Sequence, residues 1–301
     1  TISGGQNTTV YGGGNQADVS ETNVNLIVGG AVTTLYGGGY SGEADLTTIL
    51  ISGGQGTTVY GGGRQAATVE TSVTQTGGTI GTIYGGGDAG TADLTTVTIN
   101  GGQSTTIYGG GNQAATDETN VILNSGGTVT TTYGGGNQAG ATETNVTCNG
   151  MTTTTIFGGS NSNGTVTTSN VTITNGTITN VYGGNNAGGG TTTSNVTITN
   201  GTITNIYGGG DQASTTTSNI ITSGGTITNI YGGGNRAGVI TTHVTTNGGS
   251  VDNIFGGSNT SGNVTTSYVT TNSSANVNDE IGSIYGGNNQ GGETATSNVT
   301  I

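Results

Sequence analysis

Six carboxylates stand at repeat spacing in the first half of the chain: Glu21, Asp45, Glu70, Asp93, Glu118 and Glu143. Each precedes a strand-like apolar run. From the seventh repeat onward the same place is taken by Thr168, Thr193, Thr217, Thr241, Thr266 and Thr296. Strand alternation turns this position outward. If successive repeats stack, the acids form a row roughly 5 Å apart. Each neighbouring pair then repels by about 1 kcal/mol in water before screening. Calcium takes oxygen-only ligands and would relieve that repulsion, so a calcium ladder is one expectation for the row. A solvated acidic stripe is the plainer one.

Other residue types offer less chemistry. Asp88 and Asp211 follow three glycines and faintly resemble calcium-binding glycine-rich nonapeptides, but the period here is far from nine. Asp in place of a turn Asn accounts for both. Thr-x-Thr pairs recur at Thr172 and Thr174, Thr197 and Thr199, Thr177 and Thr179, and Thr202 and Thr204. Stacked, they would make a flat array of hydroxyls and methyls that resembles the faces of ice-binding β-solenoids. Outward strand positions also favour Thr for its cross-strand pairing alone. Sequons such as Asn145-Val-Thr, Asn170-Val-Thr, Asn195-Val-Thr and Asn298-Val-Thr arise readily in a chain this rich in Asn and Thr.

A catalytic reading finds little to hold. His243 takes a slot filled elsewhere by Asn170 and Asn195, and no partner for a general base accompanies it. Arg64 and Arg236 are the only basic side chains besides it and lie seven repeats apart. Cys148 is the single cysteine, so no intrachain disulfide can form. It stands where other repeats have Ile173 and Ile198, which reads as a small buried apolar group. The expectation is a protein that is not an enzyme and needs no cofactor.

The elements that must position these residues follow from composition and period. The chain has 301 residues, of which 65 are Gly and none Pro, with 28% hydrophobic and only 6% charged. Disorder of that hydrophobicity usually brings charge and proline. Abundant Thr, Val and Ile favour strands instead. A net charge of −13 gives no basic cluster for nucleic acid or an anionic membrane surface. No apolar run is long enough for a membrane-spanning helix.

Self-similarity sets the architecture. An aromatic followed by Gly-Gly recurs at Tyr11, Tyr36, Tyr60, Tyr84, Tyr108, Tyr133, Phe157, Tyr182, Tyr207, Tyr231, Phe255 and Tyr285. Spacings are 24 or 25 residues until the last, which is 30. Four residues after the aromatic comes Asn15, Asn112, Asn137, Asn161, Asn186, Asn235, Asn259 or Asn289; Tyr40, Arg64, Asp88 and Asp211 take the remaining places. One unit, "SNVTITNGTITNVYGGNNAGGGTTT" from Ser169, reads as strand, turn, strand and glycine-rich bend. Asn-Gly between strands also signals a hairpin. A hairpin, however, does not require residue n to match residue n+24, whereas a parallel β-solenoid does, because each strand lies on its counterpart one coil away.

The expected fold is therefore all-β: one parallel solenoid over residues 1–301, of about twelve 24–25-residue coils. Tyr rings would form an aromatic ladder and Asn amides a hydrogen-bonded one. Glycine after the aromatic would serve either a positive φ or a backbone approach too close for a Cβ. About six extra residues within 271–281, carrying Asp279 and Glu280, should form a loop on one coil. Both ends fall inside repeats, with no signal peptide, which suggests a segment or mature core of something longer.

Units of the form "GGTITNIYGGGN", here Gly224 to Asn235, resemble repeats of long bacterial cell-surface and adhesin-like β-solenoid proteins. The likeness covers nearly the whole chain and brings no catalytic residues with it. It implies a rod, stalk or fibre at the cell surface. Expected partners are further copies of the chain, end to end or side by side, or surface glycans. The alternatives are a binding module for ice or glycan on the Thr-rich face and, third, a polysaccharide-active enzyme.

Overall fold

A computed structural model of the chain describes residues 1–272 and 280–301. Among these residues there is no helix, and the strands wind into a parallel β-solenoid of about 11 turns. One turn shows the plan. A first strand, Thr191–Ile198, buries Ser194, Val196 and Ile198 and leaves Asn195 and Thr197 half-buried on the other side. The chain bends at Gly201 into a second strand, Thr202–Tyr207, which buries Ile203 and Ile206. A glycine corner then carries it up to the next first strand, Thr215–Thr222.

First strands pair with first strands and second with second, always parallel. Asn195 lies on Asn170 below and Asn219 above. Ile203, Ile206 and Tyr207 lie on Ile227, Ile230 and Tyr231. Among the described residues no first strand pairs with the second strand of its own turn, so the Asn-Gly signal marks a bend within the coil rather than a paired hairpin. In Ala141–Phe157 and Val166–Tyr182 the strand runs straight through that bend.

The two kinds of glycine do different work. Glycines at the bend hold positive φ, +120° at Gly201 and +90° at Gly225, where a side chain would be strained. Those after the aromatic do not. A Cβ on Gly61 would sit 2.0 Å from the carbonyl oxygen of Gly85, and one on Gly85 2.1 Å from that of Gly109. Of the two reasons glycine could be needed there, close approach is the one that applies. The corner thereby keeps its backbone paired between coils: Gly61 N–H donates to Tyr84 O at 2.8 Å, and Arg64 N–H to Gly39 O at 2.9 Å. Burial of backbone at a corner requires such pairing.

The core is a thin column of Ile, Val and Leu running the length of the rod, from Ile2 to Val269, with Ile281 and Ile284 packed on it. Val196, Ile198, Ile203 and Ile206 are the contribution of one turn, each at most 1% exposed. Each is worth about 1.5–3 kcal/mol by burial. Cys148 sits in this column at full burial, as its alignment with Ile173 foretold. A second inward column is polar. Thr22, Thr47, Thr71, Thr95, Thr119 and Thr144, then Ser169, Ser194, Ser218 and Thr242, each donate a hydroxyl across the coil to the carbonyl of the first glycine after the aromatic. The Thr47 bond to Gly61 O measures 2.5 Å. These braces satisfy buried donors and tie the two faces together.

Candidate functional site

The most regular feature is the aromatic column. Rings from Tyr11 to Tyr285 stack in sequence, centroids 4.5–5.1 Å apart and planes within 10° of parallel. All the expected aromatics take part. The rings lie outside the aliphatic core, in a separate apolar cluster. Tyr36 through Tyr231 are buried; Tyr285, on the terminal turn, is half exposed. Burial pushes the phenols of Tyr36, Tyr133 and Tyr207 up to about 12, with the Asp88 carboxylate adding to the effect at Tyr36. Burial raises Tyr60, Tyr84 and Tyr182 further still. These buried phenols therefore keep their protons well above neutral pH.

Beside the rings runs the Asn ladder. Each amide donates to the amide oxygen of the preceding turn: Asn137 to Asn112 at 2.9 Å, Asn161 to Asn137 and Asn186 to Asn161 at 2.8 Å, Asn259 to Asn235 at 3.0 Å and Asn289 to Asn259 at 2.9 Å. Asn112 ends its run on Asp88 and Asn235 ends its run on Asp211, both at 2.8 Å. A carboxylate accepts but has nothing to donate, so each Asp heads a run. The ladder is thus two runs rather than one. Asn15 belongs to neither, because Tyr40 and Arg64 stand between it and Asp88. In their place the Tyr40 ring meets Tyr11 edge-on at 5.9 Å, and the Arg64 guanidinium lies 4.9 Å over Tyr40. Arg236 pairs with Asp211 at 2.5 Å.

Further amide ladders went unread in the sequence. On the first-strand face Asn145, Asn170, Asn195 and Asn219 each donate to the preceding amide, starting at Asn120, at 2.9–3.2 Å. On the second-strand face Asn205, Asn229 and Asn253 do the same from Asn180, at 3.0–3.1 Å. Their signal was present as "TSN" and "ITN" recurring at the repeat period. Sequon residues Asn145, Asn170 and Asn195 thus spend their amide hydrogens in a ladder. His243 and Tyr268 continue the first of these columns, stacked 4.8 Å apart. His243 is half-buried and has a ring neighbour that its own sequence context did not show.

The acidic row requires correction. Glu21 lies on Leu46, Leu46 on Glu70, Glu70 on Leu94, and Leu94 on Glu118. Asp45 and Asp93 stand one residue earlier in their strands, outside that column. Only Glu118 and Glu143 are direct neighbours. Amides already serve several of these carboxylates: Asn23 donates to Glu21 at 2.8 Å, Asn120 to Glu118 at 3.2 Å and Asn170 to Glu143 at 3.0 Å. Among the described residues, no three His, Cys, Asp or Glu side chains converge as a metal site needs. The evenly spaced row that motivated calcium is not formed.

Burial pushes the Cys148 thiol up, away from a reactive thiolate. The expected loop over 271–281 falls largely on residues 273–279, Asp279 included, which lie outside the described residues. Comparison of the chain with protein-family models, with curated proteins and with solved structures returned no match.

Proposed function

We propose that the chain is a non-catalytic structural or adhesive rod at the extracellular cell surface, akin to adhesin-like solenoid repeats and able to assemble with further copies of itself. The observation that carries this reading is the axial register kept from turn to turn along both strand faces. Backbone ladders, stacked rings and amide runs all point along one axis, so load applied to the rod is shared by many parallel bonds per turn. The corner contributes backbone bonds as well as the strands. A turn whose strand edges are left uncovered invites addition of a further coil.

The polysaccharide-active alternative draws less support. Arg64 lies over Tyr40 and Arg236 is paired with Asp211, so neither guanidinium is placed beside a pair of acids. Electron microscopy of the purified chain tests the proposal. Straight rods or filaments with a 4.8 Å-class meridional repeat are expected. Compact particles, or turnover of a sugar polymer, would refute it.

A further inference from the structure

The Thr-x-Thr pairs part company in the structure. Thr172 and Thr197 are half-buried beside the first-strand amide ladder. The Thr174 hydroxyl is spent on the Asn149 amide oxygen at 2.8 Å, with the Cys148 carbonyl at 3.2 Å, and the Thr199 hydroxyl on the Ile173 carbonyl at 3.3 Å. On the second-strand face the pairs behave differently. From Thr128 and Thr130 to Thr226 and Thr228, five consecutive turns present two Thr each, and all ten are exposed. Thr128, Thr152, Thr177, Thr202 and Thr226 lie directly over one another. None of the ten hydroxyls has a hydrogen-bond partner within the protein.

From this geometry we propose that the second-strand face between Thr128 and Thr228 binds the surface of crystalline ice. The reading is independent of whether the rod self-assembles. The face is a net: 4.5–5.0 Å along the axis, as the adjacent rings measure, and about 7 Å across, two residues of a strand. Backbone ladders fix the Thr backbones, and β-branching fixes the rotamers. The two columns carry no charge until Asp252 closes them. Ice is a solid whose hydrogen-bonding oxygens repeat on a net of this scale. Methyls would hold the intervening water in cage-like order while hydroxyls anchor it.

Other occupants fit worse. A second rod would bury ten hydroxyls against a surface that must supply a partner for each, at about 1–3 kcal/mol for every one left unmet. A glycan seeks aromatic platforms, and the rings beside this face are themselves buried.

The test is partition into a slowly growing ice hemisphere, with thermal hysteresis on the same samples. The wild-type chain should enter the ice at least tenfold more than a Thr179→Lys/Thr204→Lys variant. Thr197→Lys, on the opposite face, should partition like wild type. Matching thermal melts show that each variant is folded; if the double Lys variant melts early, Thr204→Tyr replaces it. Rejection of the wild type from ice overturns the proposal. Equal losses in Thr197→Lys overturn it too. So does a Lys variant that disrupts rod association in sedimentation yet still enters ice, which would assign the face to a second copy.

Discussion

The turns before Glu143 and those after it share a plan but not a composition. In the earlier turns the place after the glycine corner changes at almost every step: Asn15, Tyr40, Arg64, Asp88. With Glu143 itself, ten of the 15 acids fall there. An inward column is broken by Gly56 and by Ser104, whose hydroxyl meets the fully buried Gln75 amide at 2.7 Å. From Ile178 on, neighbouring turns are closer copies, with amide ladders on both faces and Ile or Val at the places that match Gly56 and Ser104. Yet three columns cross both regions: the rings, the glycine that follows each and, from Thr22 to Thr242, the Thr or Ser hydroxyl braced to that glycine. These are what stacking requires. Amide ladders and uniform cores are additions that the earlier turns do without.

Breaking a shared column should hurt both regions alike. Gly85→Val and Gly232→Val both drive a side chain into backbone, the Cβ alone meeting a carbonyl oxygen at 2.1 and 2.3 Å. Each should cost more than about 4 kcal/mol or prevent folding, read by chemical denaturation. A large difference between the two would mean that the regions do not share one corner. Removing a ring comes next: Tyr84→Ala and Tyr207→Ala should each cost about 3–5 kcal/mol.

High pH tests the shared column in another way. The folded phenols titrate above their unfolded values. Their stabilisation is therefore complete below about pH 10 and is lost as pH rises through about 12. Melting temperature should hold steady up to pH 10 and then fall, with both regions failing together. A flat profile to pH 12 would show that the rings are not buried in the folded rod.

Private columns should separate the regions. Asn170→Ala removes one amide from a run and strands its neighbours, for about 1–2 kcal/mol. Thr96→Ala, at the equivalent place in an earlier turn, should cost less than about 0.5 kcal/mol. Because repeat arrays open locally, hydrogen exchange resolves which turns loosen. The smallest effect is expected from salt. Raising ionic strength screens the acids of the earlier turns and should slow exchange there by a few-fold, leaving the later turns unchanged.

The repeat period, the parallel stacking, the aromatic column and the place of Cys148 were legible because each is a statement about residues n and n+24. Periodicity alone carries such statements. The acidic row failed for the same reason that it tempted: Asp45 and Asp93 differ from Glu21 by one residue in register, and a strand displaces a side chain with every step. The ladder's division at Asp211 needed the direction in which each amide donates, which no residue name records. Likewise "Thr-x-Thr" is one pattern on the page, but the coil turns one set toward an amide ladder and the other toward open solvent. Sequence by itself determined the period and the columns whose residue type recurs at it without a slip, the rings above all. Only the tertiary structure decided which way each column faces and what it bonds, because facing depends on where the chain bends, and the bend is made by backbone contacts between neighbouring turns.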